Sequence, residues 1–122
     1  MALHNDTGKW GEDAAVDFLV AAGYAIVERN WRLGHLEIDI IAMKDDRIVF
    51  VEVKTRKNPD DDPFDAIDRR KMLRIANAAN AYMARSPLPH DPQFDLIGIS
   101  GIPEAHSIEH IPDAFIPPLK SY

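Results

Sequence analysis

The chain has 122 residues, 46% of them apolar and none of them cysteine, which excludes a disulfide scaffold or a zinc-thiolate module and indicates one domain over residues 1–122. Its net charge of −6 argues against a protein that coats nucleic acid by charge alone. The longest apolar stretch, residues 18–27, has ten residues and is too short to cross a bilayer, so we expect a cytoplasmic protein with no membrane partner.

The first predicted element is a helix over residues 8–22. Thr7 precedes this segment as an N-cap, and Gly23 follows it where a residue in the left-handed conformation commonly ends a helix. The apolar residues recur at intervals of three and four, as on the buried face of a helix. They are Ala14, Ala15, Phe18, Leu19 and Ala22.

Three strands are predicted next, in segments that are rich in β-branched and aromatic residues and are separated by short turns. They cover residues 24–32, 36–43 and 48–55. The second turn is either Asp45 with Asp46 or the four residues 44–47, and in both cases the numbers of facing residues on the second and third strands sum to 91. A turn of three or five residues would shift this register by one residue.

A second helix and two more strands are predicted in the rest of the chain. Asp65 with Asp68 resembles a capping box with Asp in place of Glu, and the apolar face that follows extends to about Ala84. Strands are predicted over residues 94–100 and 106–111. Because a strand after a helical crossover usually returns parallel to an earlier strand, we expect an α/β protein of order αβββαββ, with a mixed sheet flanked by helices.

Positive charge is concentrated in the middle of the chain. Residues 29–85 carry twelve of the fourteen basic residues against ten acidic ones, a sum of +2. Arg70 and Arg74 lie one turn apart on the second predicted helix, and Arg56 and Lys57 follow the third predicted strand. Each of these side chains is either a contact for the phosphates of a nucleic acid or a solvated charge. The middle of the chain is therefore where an anion would bind.

Charged side chains on the second and third strands form a candidate site on one face of the sheet. Side chains alternate along a strand, so Asp39 shares a face with Glu37, and Glu52 shares a face with Lys54. The register sum of 91 places Asp39 opposite Glu52 and Glu37 opposite Lys54. Like charges that face each other cost about 0.2–1 kcal/mol, so the two carboxylates of Asp39 and Glu52 require a neutralising partner.

These carboxylates, with the backbone carbonyl of Val53 beside them, form a hard oxygen site suited to Mg²⁺ or Mn²⁺. The ammonium of Lys54 next to such an ion could position or deprotonate an attacking water and stabilise charge on phosphorus. The chemistry that this arrangement indicates is phosphodiester hydrolysis. Without Asp39, the segment Glu52-Val53-Lys54 would be better explained as a solvated strand face with a charge pair.

The spacing of Asp39, followed after twelve residues by Glu52-Val53-Lys54, resembles the D-x(n)-E-x-K motif of restriction-endonuclease-like nucleases. Over a core of residues 8–100, the chain also resembles the YraN-like family of small bacterial proteins, which is assigned to that fold and is related to archaeal Holliday junction resolvases. The proline-rich tail, residues 101–122, is expected to lie outside the resemblance. The segments that carry it are Gly11-Glu12, residues 23–30, residues 37–41 and residues 50–56.

The resemblance implies a metal-dependent nuclease that acts on DNA, including branched or damaged DNA. It implies Asp39 and Glu52 as metal ligands, Lys54 as the catalytic cation, and Glu12 as an additional acid on the first helix. Ile38 stands where related nucleases often have proline before the aspartate, as is common in the resolvase branch.

Two further expectations concern the alternative function and the partners. The alternative function is a non-catalytic module that binds nucleic acid or protein on the same scaffold. A homodimer is predicted for the nuclease, because cutting both strands of a symmetric junction requires two related sites, and the apolar residues 111–119 could cover the partner. Apart from the divalent metal, no small-molecule cofactor is expected.

Overall fold

The computed structural model describes residues 3–58, 60, 62, 64, 67–86 and 91–115, with side chains from Lys9 onward. The strands form one sheet in the order β1-β2-β3-β4-β5, in which β3 and β4 are parallel and all other neighbours are antiparallel. The predicted α/β class, the mixed sheet and the order αβββαββ are therefore confirmed. The elements are α1 (Leu3–Ala21), β1 (Ala25–Leu33), β2 (Leu36–Lys44), β3 (Arg47–Arg56), α2 (Arg69–Arg85), β4 (Asp91–Ile102) and β5 (Ala105–Ile111).

The two helices pack on opposite faces of the sheet, because alternate residues of the central strands present apolar side chains to each face. Helix α1 buries Ala15 and Leu19 in what we call the α1-side cluster, and α2 buries Ile75 and Ala79 in the α2-side cluster. The strands contribute Ile40, Ala42, Val49, Val51, Ile97 and Ile99 to the first cluster, and Ile38, Ile41, Ile48, Phe50 and Phe94 to the second.

Helix α1 begins earlier than the sequence predicts and ends where it predicts. It starts at Leu3, so Thr7 lies inside the helix and is not its N-cap. At the other end, Gly23 has a φ of +93°, and the N–H of Tyr24 donates to the carbonyl of Leu19 at 2.9 Å, as in a Schellman motif. In the part of the chain that the structure describes, no helix is both long and apolar enough to cross a bilayer.

Helix α2 begins at Arg69, later than a start at Asp65 would place it. Its N-cap is Asp68, whose Oδ1 accepts a hydrogen bond from the N–H of Lys71 at 2.9 Å, because a carboxylate can satisfy one of the N–H groups left free in the first turn. Asp65 lies outside the described residues. This start places Lys71 in the first turn of α2, next to the sheet.

The connection between β2 and β3 is the two-residue turn of Asp45 and Asp46. Asp45 adopts a φ of +55°, which is the left-handed conformation that tight hairpin turns require. From this turn to the pair Ile40 and Val51, the numbers of facing residues sum to 91, as predicted. Regular pairing ends at that pair, so Asp39, which precedes Ile40 in the chain, lies just outside it.

A buried carboxylate joins β4 to β5 and to the start of β1. Asp95 is 1% exposed. The burial of Tyr24, and after it the negative charge of Asp95, raise the pKa of the Tyr24 hydroxyl above its ordinary value. The carboxylate contacts the hydroxyl of Tyr24 at 3.0 Å, Nε2 of Gln93 at 2.8 Å, Nε2 of His110 at 2.8 Å and the N–H of Asp113 at 2.9 Å. Four partners, three of them outside β4, make Asp95 a structural anchor.

Asp95→Ala is expected to lower the free energy of unfolding by about 3 kcal/mol, because it leaves buried donors without an acceptor. Asp95→Asn should lose much less, since its oxygen can accept from Gln93 and Asp113 while its amide donates to the other two partners. Urea unfolding measures both variants, with Asp91→Ala at an exposed position of the same strand as the control. Equal losses for the Ala and Asn variants would contradict this interpretation.

Candidate functional site

Asp39 lies where the regular pairing of β2 with β3 ends. Ile38 packs in the α2-side cluster while Ile40 packs in the α1-side cluster, so the alternation of side chains breaks at the residue between them. The Asp39 carboxylate turns toward β3, where its Oδ2 accepts a hydrogen bond from the N–H of Val53 at 2.8 Å. A side chain therefore continues the connection that backbone groups make as far as Val51.

Asp39 and Glu52 form a pair of neighbouring carboxylates. Glu52 is 8% exposed. Burial, and after it the negative charge of Glu52, raise the pKa of Asp39 to about 7, with a smaller effect from Glu12 and against the lowering effect of the Val53 N–H. Because two adjacent carboxylates resist double ionisation, the pair holds a proton near neutral pH or requires a cation.

Two lysines lie beside the Glu52 carboxylate. Nζ of Lys71 is 3.1 Å from Oε2 of Glu52, and Nζ of Lys54 is 3.8 Å from the same atom. Lys54 arrives there by alternation along β3, whereas Lys71 comes from α2 and is not singled out by the sequence pattern. The available signal is its position three residues after Asp68 and four before the buried Ile75, which directs its side chain toward the sheet.

Glu37 does not lie opposite Lys54, and that predicted pairing is wrong. Before Ile40, β2 is paired with β1 through Leu36, Glu37 and Ile38 but not with β3. Oε2 of Glu37 is 3.4 Å from Nη2 of Arg32, its cross-strand neighbour on β1. Glu37 therefore pairs with β1, while Lys54 pairs with Glu52.

Glu12 has a side chain that is only 13% exposed. Its Oε1 accepts from Nε of Arg29 at 3.0 Å and from Nδ2 of Asn30 at 2.9 Å. Helix α1 approaches β3 closely here, since a Cβ at Gly11 would lie 2.5 Å from the hydroxyl oxygen of Thr55. Glu12 is thus held near the carboxylate pair by partners on β1.

The four predicted phosphate contacts differ in their surroundings. Arg74 lines a pocket together with Glu52, while Arg70 and Lys57 are exposed. Nη1 of Arg56 donates to the carbonyl oxygen of the preceding residue at 3.2 Å. Of these four residues, all of them described, Arg74 is the one that the structure brings beside Glu52.

Asp39, Glu52 and the Val53 carbonyl are the groups that would hold a divalent cation. The N–H of Val53 faces β2, and its carbonyl faces the same way, because both groups of one strand residue point to the same side. Within the ranges that the structure describes, no three His, Asp or Glu side chains form a cation site by themselves. Two carboxylates and one carbonyl still fit Mg²⁺ or Mn²⁺, because these ions prefer oxygen and Mg²⁺ keeps several waters.

The fold and site define an α/β protein with a mixed five-stranded sheet between two helices and a carboxylate pair where two strands part. The model of "Uncharacterised protein family UPF0102" matches residues 11–99. The chain belongs to this family, which is the YraN-like family indicated by the sequence.

Relatives in other bacteria align over nearly the whole chain. A UPF0102 protein of Bacteroides thetaiotaomicron is 47% identical over 120 residues, which cover 98% of this chain and 99% of the relative. A UPF0102 protein of Flavobacterium psychrophilum is 43% identical over 116 residues, with coverages of 94% and 98%. The similarity therefore extends into the tail, residues 101–122, which was expected to lie outside it.

The raised pKa of Asp39 predicts that stability falls as the pH rises toward neutrality. An unfolded chain loses this proton at about pH 4, whereas the folded chain keeps it to about pH 7. The folded state therefore binds more protons between these values, and this group lowers the free energy of unfolding by up to about 1.4 kcal/mol per pH unit, with no further loss above pH 7.

Asp39→Asn is expected to flatten this part of the pH profile and to be more stable than the wild type at pH 8. Urea unfolding between pH 4 and pH 8, in the presence of a chelator, measures the effect. Asp46→Asn, at an exposed position of the β2–β3 turn, is the control and should keep the wild-type slope. Parallel profiles for Asp39→Asn and the wild type would show that the site does not hold this proton.

Proposed function

We propose that this chain is a metal-dependent nuclease that hydrolyses phosphodiester bonds in DNA, including branched or damaged DNA. The observation that carries the proposal is the convergence of Asp39, Glu52 and Lys54 where β2 leaves β3. This arrangement fits the site implied by the resemblance to restriction-endonuclease-like nucleases. The family name states no reaction, so the chemistry is argued from the site.

Each residue of the site has a role in such a reaction. Asp39 and Glu52, with the carbonyl of Val53, would hold Mg²⁺ or Mn²⁺. When bound, the ion supplies a Lewis acid at a phosphate oxygen and lowers the pKa of a bound water. Lys54, whose Nζ is 3.8 Å from Glu52, would donate to the attacking water or to a phosphate oxygen. The attacking water would lose a proton to solvent as its oxygen bonds to phosphorus, and the leaving oxygen would take up a proton from water as its bond to phosphorus breaks, while the ammonium stabilises the negative charge.

Residues around this centre would support it from several elements. Glu12 would act from α1 as the additional acid. Hydrogen bonds from Arg29 and Asn30 hold its carboxylate in position. Such an enzyme would work in the bacterial cytoplasm, and a homodimer would supply two sites for a symmetric junction. Contacts to backbone phosphates would come from Arg56, Lys57, Arg70 and Arg74.

A second candidate function is a non-catalytic module that binds nucleic acid or protein. The ion pair between Lys71 and Glu52 favours it, because a nearly buried carboxylate with two lysine partners can serve the folded structure alone. The net charge of −6 favours the protein-binding form of this module, since it repels a polyanion whether that is a substrate or a ligand. The two candidates differ in whether a divalent metal is required.

Lys54→Ala is expected to lower the rate of DNA cleavage by roughly a hundredfold to a thousandfold, because it removes a donor that stabilises charge in the transition state. The assay uses labelled single strands, duplexes, flaps and four-way junctions with Mg²⁺ or Mn²⁺. Arg47→Ala removes the same charge from the exposed start of the same strand and should cut like the wild type. Cleavage by Lys54→Ala at the wild-type rate, or no cleavage of any substrate by the wild type, would exclude the enzyme.

Mn²⁺ or Mg²⁺ is expected to raise the Tm of the wild type at pH 8, because an ion that binds the carboxylate pair stabilises the folded state. Each kcal/mol of binding free energy should raise the Tm by roughly 4 °C. Asp39→Asn and Glu52→Gln should lose the response, while Asp46→Asn should keep it. Scanning calorimetry measures the shift, and a wild type that responds to neither ion would favour the non-catalytic module.

A further inference from the structure

A pocket lies next to Glu52, between the turn that joins β1 to β2 and the first turn of α2. Its volume is about 30 Å³, which exceeds what one water molecule needs. Lys71 and Arg74 line it from α2, and His35 and Glu37 line it from the other side. Because Glu52 also lines this pocket, the pocket adjoins the carboxylate pair.

The α2 side of the pocket carries two positive charges. Lys71 and Arg74 are three residues apart in the helix, so their side chains emerge on the same face. Lys71 contacts Glu52 at 3.1 Å. Arg74 lines the pocket and occurs in none of the ion pairs between described residues, so its N–H donors are not taken up by a described carboxylate.

Two acids, Glu37 and Glu52, line the pocket as well. Glu37 contacts Arg32 at 3.4 Å, and its side chain is 57% exposed, so water and salt screen its negative charge. His35 lies in the turn between β1 and β2 and can present a ring N–H to a ligand. A phosphate that enters would therefore meet donors from Arg74 and His35, while the charge of Lys71 is shared with Glu52.

We infer that this pocket is a phosphate-binding subsite in which Lys71 and Arg74 hold a phosphate group of a nucleic acid. The assignment of the ligand rests on the proposed nuclease function. An arginine fork matches two phosphate oxygens, and a lysine ammonium adds a point charge. Glu52 lines the pocket and is also one of the two carboxylates of the pair. A phosphate bound here would therefore place the adjoining phosphodiester at Asp39.

Amide NMR titration tests the subsite without any cleavage. The two probes are thymidine 5′-phosphate, which carries a terminal phosphate, and the thymidine dinucleoside with one internal phosphodiester, both without divalent metal. In the wild type, the signals of Lys71 and Arg74 should shift saturably with at least one probe. Arg74→Ala should weaken that binding by about tenfold, which corresponds to the loss of one charged hydrogen-bonding partner.

The matched control is Arg69→Ala, which removes the same charge from the exposed first residue of α2, outside the pocket. It should bind the probes within about twofold of the wild type. Binding of the dinucleoside would identify a backbone phosphate as the ligand, and binding of the nucleotide alone would identify a strand end. No saturable shift with either probe, or equal weakening by Arg69→Ala and Arg74→Ala, would overturn the inference.

A second variant tests the other cation, and kinetics separate this inference from the proposed function. Lys71→Gln should weaken the binding of the probes by about as much as Arg74→Ala does. Circular dichroism checks that the variant folds. If the protein cuts DNA, Arg74→Ala should raise KM about tenfold and leave kcat nearly unchanged, whereas Lys54→Ala lowers kcat. Probe binding that depends on Arg74, in a protein that cuts no substrate, would retain the subsite and exclude the nuclease.

Discussion

The hydrogen bond from the N–H of Val53 to the Asp39 carboxylate is the interaction on which the site depends. As far as Ile40 and Val51, backbone groups join β2 to β3. At Asp39, which precedes Ile40 in the chain, the side chain makes the connection to β3 instead. The first residues of β2 pair with β1. Because this bond ties the carboxylate to β3, Asp39 stays next to Glu52 even when both groups are ionised and repel each other. Strand pairing and a charge cluster are therefore produced by the same residue.

The balance of charge around Glu52 connects structure to the proposed chemistry. Asp39 keeps its proton to about pH 7, and two lysines from different elements lie within 4 Å of Glu52. A proton neutralises one carboxylate, whereas a divalent ion would neutralise both and change the local electrostatics more than any side chain does. Lys71 is then available to a phosphate in the adjoining pocket. Metal, attacking water and substrate phosphate would thus meet around one glutamate.

The sheet contains a second buried acid with a different purpose. Asp95 is paired on the α1 side with Tyr24 and His110, among four partners in all, and it stabilises the junction of β4 and β5. Glu52 faces the opposite side, where its partners are lysines and it borders a pocket. A buried carboxylate whose donors all come from the protein anchors the fold, while one that lines a pocket can meet a ligand. The surroundings, more than burial itself, separate the two roles.

The sequence by itself determined the order of the elements and, with the turn left open between two and four residues, the register from β3 to β2, because alternation and turn residues act over a few neighbours. That register was enough to bring Asp39 to Glu52. Only the tertiary structure decided that pairing ends at Asp39, that α2 starts after Asp68, and that Lys71 reaches a glutamate nineteen positions earlier in the chain. These features depend on hydrogen bonds and ion pairs between groups that are distant in the chain. Such groups meet only when the helices pack on the sheet.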